Sequence, residues 1–122
     1  MTNGVRTAPS HSLVLIMDET VGQIPSSMNR ALVSANSTCV AVGTFSEADG
    51  ETTISIGEET TRVEPGMDLA FDGVLQTPTR LLTVCTVTGT SLLKYPVGSE
   101  RTQVQVWVSH PSEPDKILVL VL

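Results

Sequence analysis

At 122 residues the chain has the length of one domain, 1–122, and enough sequence to bury a core of its own. It carries 13 Asp and Glu against 7 Lys and Arg, a net charge of −6; that balance excludes the phosphate neutralisation on which nucleic-acid binding rests, and equally docking to an anionic membrane face. Hydrophobic residues make up 40% but aromatics only 3%, so the core is to be built from Val, Leu, Ile and Met, and the wealth of β-branched Val and Thr favours strands.

Residues 1–12 are polar, include Gly4 and Pro9, and read as an arm or a loosely held edge. They hold no apolar signal-peptide core, so the expected location is the cytoplasm, with Cys39 and Cys85 reduced and buried. Leu13–Met17 is a continuous apolar run, the mark of a buried strand, and Asp18-Glu19-Thr20 ends it. The stretch 26–36 holds the single helix candidate, with Ser26 or Ser27 as cap and Met28 above Leu32; a Ser/Asn-rich loop is the competing reading.

Thr38–Phe45 and Glu51–Gly57 are two extended runs around Ser-Glu-Ala-Asp-Gly50, which predicts a central β-hairpin. The first arm has apolar side chains on both faces and so should be covered on both. Thr60–Glu64 continues extended, Pro65-Gly66 turns, and Leu69–Val74 forms the next strand. Arg80–Thr88 follows, then a reversal at Gly89 into Ser91–Tyr95 and a turn at Pro96–Ser99. Arg101–Ser109 alternates Val104, Val106 and Val108 against Gln103, Gln105 and Trp107, the pattern of a half-buried antiparallel strand. After the Pro-flanked loop 110–115, Lys116–Leu122 is a strand apolar on both faces. Eight or nine short strands with turns at close intervals predict an all-β fold, an antiparallel β-sandwich of jelly-roll or Greek-key type.

Chemistry is sparse. His11 and His110 have no metal spacing or nucleophile elbow around them, and Cys39 and Cys85 match no metal pattern. Asp18 and Glu19, adjacent on a strand end, point to opposite faces and form no acid–base pair. Asp49-Gly50 and Asp72-Gly73 are loop-like, yet the spacing of an EF-hand is missing. The expectation is therefore no catalytic residue, no metal and no cofactor.

Charge is more informative. Eight acids lie in the segment 47–72 against one base, Arg62. Brought together, they would attract a cationic partner. Trp107, the sole Trp, falls on the polar face of its strand, where it is either covered by a loop or used in an interface. Glu47, Asp49, Glu51, Glu58, Glu59 and Trp107 are the expected partner-binding residues.

The polar turn at Arg80, and Pro96-Val-Gly-Ser before an alternating strand, resemble small bacterial β-sandwich inhibitors of competence nucleases. The resemblance covers the C-terminal third, and no residue is carried over from it. The expected function is a non-enzymatic protein-binding module, an acidic inhibitor or immunity-type protein engaging a basic partner. The alternative is a small hydrolase or isomerase using a sandwich cleft with His11 or His110. A homodimer is expected as well, because Leu118, Leu120 and Leu122 need cover that a polar arm does not supply.

Overall fold

The computed structural model describes residues 3–28 and 31–122. Its strands are β1 (Asn3–Thr7), β2 (Leu13–Met17), β3 (Val33–Ala35), β4 (Cys39–Gly43) and β5 (Thr52–Glu58), followed by β6 (Asp68–Gln76), β7 (Leu81–Thr86), β8 (Ser91–Pro96), β9 (Arg101–Val108) and β10 (Lys116–Val121). They form two five-stranded sheets, ordered β1-β5-β10-β9-β6 and β3-β4-β2-β7-β8. The chain is thus an all-β sandwich.

Period-two alternation decides the inner layer. Val104, Val106 and Val108 of β9 enter the core, joined from the same sheet by Ile54, Ile56, Ile117 and Val119. The other sheet answers with Val14, Ile16, Val40, Val42, Leu82 and Val84. Short branched side chains fill this layer at roughly 1.5–3 kcal/mol each, relative to exposure.

Several expectations change. The run 38–57 is not a hairpin: β4 and β5 belong to different sheets, and 44–51 is a corner crossing between them. β5 pairs instead with β1 and, in parallel, with β10, so the sandwich is not purely antiparallel. The polar arm contributes an edge strand, Asn3–Thr7, held antiparallel on β5. No α-helix forms among the described residues; the helix candidate 26–36 is loop running into the short strand β3, with Asn29 and Arg30 outside the described residues. Thr60–Glu64 is not a strand. No helix of the described residues is long and apolar enough to cross a membrane.

Topology explains the runs that are apolar on both faces. β5 and β6 point the same way in one sheet, with β10 and β9 between them. The connection 59–67 must therefore return along the sheet, and the core leaves it only the outer face. Thr61, Arg62 and Met67 of this crossover close over Thr53, Ser55 and Leu118, leaving a hollow of about 220 Å³. Lys116 Nζ lies 3.3 Å from Glu64 Oε2 and fastens the crossover. Leu118 and Leu120, on the outer side of β10, are 7% and 4% exposed. For these two the cover that the sequence assigned to a second copy comes from the chain itself, whereas Leu122 stays 43% exposed.

The second sheet repeats the device. β2 and β3 are parallel with β4 between them, and the described residues 18–28 of the connection lead onto the outer face. Met28 from that segment packs on Leu15, Cys39, Ala41 and Cys85. Both cysteines are free and buried there. They sit on β4 and β7, either side of β2. Two strand spacings, about 9.6 Å, exceed the reach of a disulfide.

Candidate functional site

Three loops meet at one end of the sandwich. Phe45 N donates to Pro114 O at 2.8 Å and Thr53 N to Asp115 O at 2.8 Å, which joins 44–51 to 109–115. Thr44 N donates to Ser12 O, and Glu47 N to Ser12 Oγ, which adds the loop after β1. Glu47, Asp49, Glu51, Glu113 and Asp115 are all exposed on these loops. Asp68 opens β6 at the same end, opposite Val108. Two cations near this end are engaged, Arg6 Nε at 3.4 Å from Glu51 Oε1 and Lys116 Nζ at 3.3 Å from Glu64 Oε2, while exposed Arg62 lies beside Lys116.

Trp107 belongs to this end too. It stands on the outer face of β9, flanked by Leu69 and Leu118 in register. It is half-buried, and its indole N–H donates to Gln105 Oε1 at 3.3 Å. Further along, Asp72 accepts from Gln103 Nε2 at 2.9 Å and Gln105 Nε2 at 3.2 Å. Leu69, Val74 and Leu122 border this amide ladder at 44%, 47% and 43% exposure.

The structure thus brings Glu47, Asp49, Glu51 and Trp107 to one end and adds Glu113, Asp115 and Asp68. Glu58 and Glu59 lie at the far end of β5. Seven residues of extended chain separate Glu58 from Glu51, about 23 Å. Glu58 lies instead near Tyr95, whose phenol is pushed up by burial and by that carboxylate.

Both histidines are exposed and lie outside the strands, and the Ser112 hydroxyl is 3.3 Å from His110 Nδ1. His11 is exposed, in a turn with φ 60. His110 Nδ1 accepts from Ser112 N at 3.1 Å and Glu113 N at 3.0 Å, so that nitrogen shapes its own loop. Among the described residues no group of three His, Cys, Asp or Glu is placed to hold a metal ion. Burial pushes the Cys39 thiol up to about 11, with Cys85 adding to it, and the Cys85 thiol up to about 11, with Glu19 adding to it.

One buried acid escaped the sequence reading. Asp18 is 1% exposed. Oδ1 accepts from Thr20 N and Oγ1, and Oδ2 from Thr79 N at 2.8 Å and Oγ1 at 2.6 Å. Burial by itself would raise this carboxyl, but the layer above it is thin, and the bonds from Thr79 and Thr20 together outweigh it and hold it at about 2. Asp18 is a clasp between the end of β2 and the turn before β7 rather than a reacting group. Its adjacency to Thr20 was the only local signal; Thr79 is 61 positions away.

No protein-family model matches the sequence, nor does any curated protein. Two solved structures share the fold. ComJ from Bacillus subtilis, an inhibitor of the DNA-degrading activity of NucA, superposes with a TM-score of 0.71 at 6% identity, over 98% of this chain and 93% of that one. Crocagin biosynthetic gene J superposes with a TM-score of 0.50 at 10% identity, over 98% of this chain and 94% of that one.

Proposed function

We propose that this chain is a non-enzymatic binding module, an acidic inhibitor that covers a basic surface on a partner protein. The observation that carries the reading is the acidic end, where three loops present Glu47, Asp49, Glu51, Glu113 and Asp115 beside Trp107, while Arg6 and Lys116 are already paired. A predominantly negative field of this kind speeds encounter with a cationic protein, and a half-buried Trp at its border is a suitable anchor. ComJ, an inhibitor of a nuclease on the same fold, supports the reading and suggests a nuclease as partner. The reduced, buried thiols fit a cytoplasmic site of action.

Titration of the chain against the DNA-degrading enzymes of its own cell is the test. The expected result is loss of one activity at about one inhibitor per enzyme. Reversing Glu47, Asp49 and Glu51 to Lys should weaken association about ten-fold or more at low salt, and less at high salt. Glu59→Lys, at the far end, should leave it unchanged. Inhibition indifferent to the triple reversal, or no enzyme inhibited, would overturn the proposal.

A further inference from the structure

The two sides of the sandwich are unlike. On one side β1 and β8, the edges of the two sheets, lie against each other. On the other, the facing edges are β3, three residues long, and β6, nine residues long. The short strand stops before it can close the seam. Between them is a hollow of about 340 Å³ floored by Leu32, Val33, Ala70 and Val108, with Asp68 and Leu69 on its rim. At the other end of β6, Gln76 N donates to Ser37 O, which ties that end down. From Asp68 to Val74 the outward edge of β6 has no strand beside it among the described residues.

A row of strand-spaced N–H and C=O groups is a template for one more strand. Proteins blunt an edge they do not use by shortening it, bulging it or guarding it with charge, lysine above all; β6 has one irregularity, between Leu69 and Phe71, and runs regularly from Phe71 onward. β6 is the longest strand of the fold and presents Leu69 and Val74 nearly half exposed. Its charges are Asp68 and Asp72, and among the described residues neither has an ion-pair partner.

We propose that β6 takes up an extended, basic segment of the partner protein as a sixth strand of its sheet. An apolar side chain of that segment fills the hollow beside Leu32 and Val33 on the core side of the edge, and a Lys or Arg on its other face meets Asp72, which lies outward opposite Gln105. The Gln103 and Gln105 amides hold that carboxylate on the outer face. A second copy of this chain is disfavoured as the occupant, because β6 paired with itself would gather four carboxylates and no base on one ribbon. The inference rests on the basic-partner reading above and gives it a mode of attachment.

The probe is a capped ten-residue peptide alternating Lys with Val and Thr. Two controls accompany it, one with Glu for Lys and one with Pro at every third position. Amide hydrogen exchange by NMR reads the site. With the Lys peptide, edge-facing amides between Asp68 and Val74 should exchange at least ten-fold more slowly, and neither control should have this effect. Asp72→Lys, an exposed change, should weaken the peptide at least ten-fold without altering the free protein's spectrum elsewhere. Unprotected β6 amides at millimolar peptide, or affinity untouched by Asp72→Lys, overturn the inference. If the peptide instead shifts resonances of Glu47, Asp49 and Glu51 alone, the added strand is refuted while the basic-partner reading stands. If neither the peptide nor any basic protein binds, both fall.

Discussion

Replacing Asp18 by Asn tests whether a buried carboxylate clasps the end of β2 to the turn before β7. The isostere keeps the shape and removes the charge. An amide offers one oxygen, so whichever way it turns, its NH₂ faces the backbone N–H of Thr20 or Thr79, which can only donate. One buried N–H is thereby orphaned at about 1–3 kcal/mol, and the bonds that survive lose their charge assistance. The expected loss at pH 7 is about 2–4 kcal/mol, or roughly 8–15 °C in Tm for a chain of this length.

The pH dependence separates charge from shape. The folded carboxyl lies at about 2 against an ordinary 3.8. Because the folded value is depressed, the charge-dependent part is fully present above 3.8 and is lost as pH falls through about 2. That part is at most about 2 kcal/mol, at 1.36 kcal/mol per unit. Urea unfolding of both proteins from pH 7 to pH 2 measures it: the gap between wild type and Asp18→Asn should stay level down to about pH 4 and then narrow by most of that amount. A gap that is absent at pH 7, or equally wide at pH 2, would show that the carboxylate is not what holds Thr20 and Thr79.

Three further results are expected. Thr52 Oγ1 is buried without a hydrogen-bond partner among the described residues, so Thr52→Val should raise stability by about 1 kcal/mol in the same urea assay; a loss would reveal a bond the hydroxyl makes. Cys39 and Cys85, buried and held at about 11, should react with a maleimide slowly in the native protein and within minutes in denaturant, and fast native labelling contradicts the covering role of Met28. Since Leu118 and Leu120 are buried within the chain, the homodimer loses most of its original motive, and sedimentation equilibrium at micromolar concentration should give 13.0 kDa throughout; a doubled mass would point to the exposed Leu69, Val74 and Leu122 as a contact between copies.

Local alternation determined the strands themselves. Val104, Val106 and Val108 could be assigned to the core from their spacing, because a pleated chain sends every second side chain to the same side. The same reasoning found that Cys39–Val42 and Ile117–Leu122 were apolar on both faces and needed cover twice over. Composition argued against nucleic acid and raised the expectation of a cationic partner. What alternation leaves open is which strand lies alongside which. The polar loop ending in Asp49-Gly50 has the local chemistry of a hairpin, yet Ile54 and Ile56 share one core with Val40 and Val42 from the opposite sheet. β5 therefore pairs with β10, some sixty residues away, and 44–51 becomes a corner. Everything at the candidate site descends from that choice. The corner sets Glu47, Asp49 and Glu51 beside Glu113 and Asp115, sends Glu58 and Glu59 to the opposite end, and obliges 59–67 to cross over Leu118. Asp18 shows the same limit on a smaller scale: its burial depends on Thr79, brought to it only when β2 and β7 pair. A period of two is a property of neighbours in sequence, whereas strand partners are selected by how much apolar surface the whole chain can bury at once, and only the tertiary structure holds that information.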